Sequence, residues 1–174
     1  MIRIIGIGSS FGDDAAGLIA ARLLAAAPPP DTEVIEADRP GATLIELLDG
    51  ADAAILIDAA RSGAPAGTLH DLDLRDLPRQ TITLVSSHGL GVIDAVRLAC
   101  VLGRAPTCGR VLAIAISAEQ IAGFDVDAEI RRRNSVPALS SAVDAAVEHA
   151  VRHARRWVEQ LRTASIQSCE SCVD

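Results

Sequence analysis

The chain has 174 residues, the size of a single domain able to bury about two thirds of its unfolded surface around one core. Its formal charge of −7, from 23 acidic and 16 basic side chains, and its content of two Phe, one Trp and no Tyr argue against nucleic acid as a partner. Every basic residue is an arginine, which excludes a Schiff-base lysine, a Walker-type phosphate lysine and a Ser-Lys dyad.

The opening run MIRIIGIG has the design of a strand rather than a signal peptide, with the predicted strand over Arg3 to Ile7. A helix is predicted from about Asp13 to Ala26, stopped by Pro28-Pro29-Pro30. There follow a strand over Glu33 to Ala37, a helix from about Ala42 to Leu48 and a strand over Ala54 to Asp58. A hairpin-like segment around Thr68 to Leu74 and a weaker strand over Thr81 to Val85 precede a helix over Gly89 to Leu102. A strand over Arg110 to Ser117 and a long helix from about Pro137 to Arg162 complete the pattern. Arg152, Arg155, Arg156 and Arg162 crowd the carboxyl half of that helix, where cations complement the macrodipole.

Short β-branched runs alternating with longer Ala/Leu-rich stretches of helical period mark an α/β chain with a mainly parallel sheet. Beyond Arg162 the tail TASIQSCESCVD is polar and small, so one domain is expected over residues 1–163 and a flexible tail over 164–174. No apolar stretch reaches the roughly 18 residues that span a bilayer, and the expectation is a cytoplasmic monomer without a membrane partner. Cys100, Cys108, Cys169 and Cys172 are expected as reduced thiols.

Open parallel sheets gather ligands at the carboxyl ends of their strands. In this chain those positions carry Gly8-Ser9-Ser10-Phe11-Gly12-Asp13-Asp14 after the first strand, Asp58 at the end of the third and His88 after the weak one. Taken singly, Asp13 and Asp14 also suit helix capping, Asp58 suits a loop anchor and His88 suits an ordinary loop histidine. Taken together, two carboxylates and an imidazole on one rim suit a borderline divalent cation such as nickel or zinc, with positions left open for water or for a substrate's own ligands.

A nucleotide site competes for the same loop, because Gly6-x-Gly8 follows a strand and opens a helix, with Glu36 and Asp38 near the end of the second strand. Phe11 stands where the third glycine belongs, and Asp13-Asp14 would set negative charge where a helix amino terminus should receive pyrophosphate.

Three segments, GIGSSFGDDAAGL, AILIDAARSGAPAGTLH and VSSHGLGVIDAVRLA, resemble in that order the signature blocks of the [NiFe]-hydrogenase maturation endopeptidases, over about Met1 to Ser117. The resemblance implies a twisted sheet sandwiched between helices, a three-layer αβα fold. It implies an endopeptidase that removes the carboxy-terminal extension of the hydrogenase large-subunit precursor after nickel insertion. Asp14, Asp58 and His88 match the family's metal-binding positions. The nickel is then borne by the substrate and recognised by the protease; another divalent ion, zinc or cadmium, could take the same place. Relative to the family pattern, Ser9 replaces an Asn, and Asp38-Arg39-Pro40-Gly41-Ala42 replaces a glycine-rich loop beside the rim. Asp38, Arg39 and Gly41 are thus expected to meet substrate.

Two mechanisms suit those residues. Nickel polarises the scissile carbonyl and the attacking water while a carboxylate acts as base, or Asp14 and Asp58 share a proton as a carboxylate pair and the metal serves recognition alone. A non-catalytic chaperone binding nickel or precursor would use the same ligands. His149 and His153, four apart on the last helix, followed by Cys169-x-x-Cys172, match no standard zinc spacing.

Overall fold

A computed structural model describes residues 1–77, 91–117 and 138–170, with side chains up to residue 163. The elements in order are β1 (Ile2–Gly8), a 3-10 turn (Gly12–Ala15) running into α1 (Ala16–Ala25), β2 (Thr32–Asp38), α2 (Thr43–Leu48), β3 (Ala53–Ala60), β4 (Leu69–Asp73), α3 (Val92–Val101), β5 (Cys108–Ala115) and α4 (Ser141–Glu170). The strands form one sheet in the order β2-β1-β3-β5-β4; neighbours run parallel except β4, which is antiparallel to β5.

The chain steps from β1 outward to β2, then returns past β1 to β3. Right-handed crossovers in opposite directions place their helices on opposite faces of a sheet. Accordingly α1 packs with α4 on one face, against Ile4, Ile55, Ile57, Leu112 and Ile114. α2 packs with α3 on the other, against Ile5, Ile7, Leu56 and Val111. Alternate residues of the same strands thus feed two separate cores, and β3, buried along all its length, is the wall between them. The fold is α/β with three layers, as the sequence implied.

The helices owe their places to matching apolar stripes. On α4, Val143, Ala146, Val147, Ala150, Ala154, Trp157 and Val158 recur at spacings of three and four and are all buried. At the seam between α1 and β1, Gly6 lies against the Gly17 carbonyl and the Ala21 side chain, while Gly17 lies against the Ile7 and Ile57 carbonyls. Two side-chain-free positions let the helix sit directly on the strands.

Some expectations shift. β3 runs two residues past Asp58 to Ala60, so that aspartate lies within the strand. The hairpin-like segment is an antiparallel edge strand, β4. α4 continues to Glu170, because ThrAlaSerIleGlnSerCysGlu contains no Gly or Pro to stop it, and the polar tail therefore begins inside the helix. No basic residue falls in the last turn of α4, so its arginines do not serve the macrodipole; Arg152 pairs with Glu148, and Arg162 with Asp31 and Glu159. The strand expected over Thr81 to Val85 lies outside the described residues. Among the described residues no helix is long and apolar enough to cross a membrane.

Candidate functional site

The strand order reverses between β1 and β3, and open α/β sheets bind ligands at the carboxyl ends of the strands flanking such a reversal. The turn after β1 and the end of β3 bring buried polar groups to this place: Ser9, Asp13, Asp14 and Asp58 are the four buried polar or charged side chains among the described residues. Burying carboxylates is costly unless each finds a partner. The three aspartates solve this differently.

Asp13 accepts two hydrogen bonds from one residue far along the chain, from the Ser140 backbone N–H at 2.6 Å and the Ser140 hydroxyl at 2.8 Å. It therefore sits at the amino end of α4, where the helix dipole favours an anion. It does not cap the helix that follows it in sequence, for neither the 3-10 turn nor α1 has a side-chain cap bond. We expect Asp13→Asn to lower unfolding free energy by about 1.5–3 kcal/mol and Ser140→Ala by about 1 kcal/mol, read by urea denaturation. Unaltered midpoints in both variants would show that the clamp adds nothing.

Asp14 is held within its own turn. Its carboxylate accepts a hydrogen bond from the Ser9 hydroxyl, its backbone N–H donates to the Phe11 carbonyl at 3.0 Å, and its carbonyl accepts from the Ser9 N–H at 3.2 Å. Gly8 permits this fold-back, since a Cβ there would overlap the Asp14 carbonyl. The glycines of the first loop serve close packing, and the rim they build is acidic, the reverse of a pyrophosphate cradle.

Asp58 is left unsatisfied. Its Oδ1 is buried with no hydrogen-bond partner among the described residues. Burial pushes its carboxyl well above the ordinary carboxylate range, the negative charge of Asp14 pushes it further, and the Ala59 backbone amide opposes both. A carboxyl in this state is completed by a proton or by a cation. That orphaned oxygen beside a second carboxylate fits a hard or borderline divalent ion as an oxygen donor set.

His88 lies outside the described residues, and among those described no three His, Cys, Asp or Glu side chains cluster closely enough to hold a metal. Asp38, Arg39 and Gly41 stand at the same rim: Asp38 pairs in register with Gly8, and the Arg39 N–H donates to the Gly8 carbonyl at 3.0 Å. Arg39 adopts a left-handed φ of 46° and its exposed guanidinium pairs with Asp38 at 2.7 Å. His153 does not stand ready for a second metal; its Nε2 lies 3.0 Å from Asp71 of β4. Cys169 and Cys172 fall outside the described side chains, while Cys100 and Cys108 are free thiols.

Sequence reading passed over His70 and Arg61. Asp58 pairs with Ala113, and Ala113 with His70, so the aspartate and the histidine share one cross-strand row separated by a single alanine. That adjacency follows from β4 inserting beyond β5, which no local pattern announces.

Comparisons with known proteins agree with this architecture. A family model described as hydrogenase maturation protease matches residues 19–157, a stretch that holds Asp58 and His88 but begins after Asp14. The hydrogenase maturating endopeptidase HybD of E. coli is 20% identical over 91% of this chain and 92% of its own, with a TM-score of 0.68. The [NiFe] hydrogenase maturation protease HybD of Thermococcus kodakarensis is 22% identical over 90% and 97%, with a TM-score of 0.59. The HycI protease of the same organism is 18% identical over 89% and 90%, again at 0.59. At these identities the likeness concerns the fold. No curated protein matches the chain in sequence.

Proposed function

We propose, since the chain belongs to the hydrogenase maturation protease family and is a peptidase, that it removes the carboxy-terminal extension of a [NiFe]-hydrogenase large-subunit precursor once nickel has been inserted. The observation that carries this reading is the buried, unpartnered Asp58 oxygen beside Asp14 at the carboxyl ends of β1 and β3.

In this reading the nickel is part of the substrate, held by the precursor's own ligands with positions left open. Asp14, Asp58 and His88 occupy those positions and so distinguish a loaded precursor from an empty one. A ligating carboxylate must be ionised, so nickel opposes the upward push that burial gives the Asp58 carboxyl. Peptide hydrolysis then needs a polarised carbonyl and an activated water. The metal supplies the polarisation. One Asp58 oxygen would face the metal, and the other would take a proton from the attacking water and return it to the leaving amine. Asp14, fixed by Ser9, holds the ion. Asp38, Arg39 and Gly41, on the neighbouring strand end, flank the path of the precursor chain.

The test is to incubate the protein with nickel-loaded and nickel-free precursor and to follow the mass of the precursor's carboxyl terminus. Cleavage that requires nickel, and that falls by about two orders of magnitude or more in Asp14→Asn, Asp58→Asn and His88→Ala, is expected. Unchanged cleavage in all three folded variants would overturn the site. Binding of the loaded precursor without shortening would instead favour a chaperone role.

A further inference from the structure

Most described arginines rest against a carboxylate: Arg3 against Glu33, Arg22 against Glu36, Arg110 against Asp71 and Arg162 against Asp31 among them. Arg61 is different. It stands three residues beyond Asp58 at the carboxyl end of β3, is half-buried, and its Nε is buried with no hydrogen-bond partner among the described residues. No described carboxylate pairs with it. A half-buried guanidinium gives up part of its hydration, and a chain with 23 acidic side chains does not lack carboxylates to offset that loss.

The backbone around Arg61 is held firmly. His70 Nε2 lies 2.8 Å from the Ser62 hydroxyl, and the Ala64 N–H reaches the same hydroxyl at 3.3 Å. Gly67, at φ 85°, donates its N–H to the Ala115 carbonyl at 2.8 Å and closes the loop onto β5. A fork-shaped donor on a fixed stem at the mouth of a site is a recognition element for a planar anion. Extended chain rises about 3.3 Å per residue, so Arg61 stands about 10 Å from Asp58, a span of about three residues of extended substrate.

We propose that Arg61 is a specificity-determining residue of the proteolytic site, binding a carboxylate on the precursor about three residues from the bond that is cut. This rests on the reading of the chain as a nickel-precursor endopeptidase. The carboxylate is either an acidic side chain of the extension or the precursor's terminal carboxyl group, and the chemistry of recognition is the same. His70, through Ser62, is a positioning residue for it.

The experiment uses the full chain with nickel-loaded precursor in three forms: unaltered, with the acidic side chains of the extension changed to amides, and with the terminal carboxyl made an amide. Arg61→Gln is expected to raise KM about tenfold or more with kcat within about twofold, and Arg61→Lys to fall between, because it restores the charge without the fork. The melting temperature is expected to stay level, since no partner is lost. One neutralised precursor should raise the wild-type KM by the same factor and show no further rise with Arg61→Gln, which identifies the source of the carboxylate. A KM for Arg61→Gln within twofold of wild type, or an undiminished loss on both neutralised precursors, overturns the proposal. If wild type leaves loaded precursor intact, the proteolytic reading has failed. Arg61 is then judged by calorimetric binding of the precursor, where equal affinity in wild type and Arg61→Gln overturns it.

Discussion

Asp58→Asn is expected to abolish measurable turnover while leaving the protein as stable as wild type or more so at neutral pH. The amide keeps the shape of the carboxylate but can neither take a proton nor bind a cation with full charge, so loss of the proposed base step alone removes about two to four orders of magnitude of rate. Stability moves the other way because the native carboxyl is buried, lacks a partner on Oδ1 and lies near Asp14. Its folded-state pKa is raised, so the folded protein holds this proton more tightly than the unfolded one. Unfolding free energy therefore falls with rising pH across the interval from the unfolded carboxyl value, about 4, up to the raised folded value. Stability associated with this group is fully present below that interval and lost above it. Denaturation of the metal-free protein at a series of pH values should show the variant gaining on wild type as pH rises, and parallel curves would contradict the account.

The second large effect is structural. Gly17→Ala is expected to lower unfolding free energy by about 3 kcal/mol or more, or to prevent folding, because the added methyl would overlap the carbonyls of Ile7 and Ile57. Neither yields easily: Ile57 lies in the central strand, paired on both sides, and Ile7 lies in its neighbour, paired with Ala37. In a domain of this size that loss lowers the melting temperature by about 6–12 °C. Gly12 makes the contrast. At φ 46° with open space around the position where a side chain would go, Gly12→Asn is expected to change stability by about 1 kcal/mol or less, since Asn tolerates the left-handed region. Equal destabilisation by the two substitutions would remove close packing as the reason for Gly17.

The three central strands were legible because β-branched runs bounded by glycine or charge admit few alternatives: Arg3 to Ile7, Ala54 to Asp58 and Arg110 to Ser117 each end within about two residues of β1, β3 and β5. β3 was read too short at Asp58, and the reason is instructive. A carboxylate inside a buried strand is energetically unfavourable, so sequence reasoning ends the strand there; the residue that defeats the rule is the one to which the proposed function assigns the chemistry. Asp13 was harder to read. Its pairing with Ser140 spans 127 positions, and adjacency to Asp14 suggested a local cap. His70 and Arg61 stayed silent because their meaning depends on strand order and on the absence of a partner, neither of which is written in any window of sequence.

The clamp between Asp13 and Ser140 also sets an order in time. A ribosome adding about 5–20 residues per second makes β1 and its acidic turn many seconds before it makes α4. Until Ser140 arrives, the turn that carries Asp13 and Asp14 lacks that anchor, and only the bonds within the turn hold its two carboxylates. In a half-made chain the acidic turn is thus unclamped, and its native arrangement is complete only when the last helix docks.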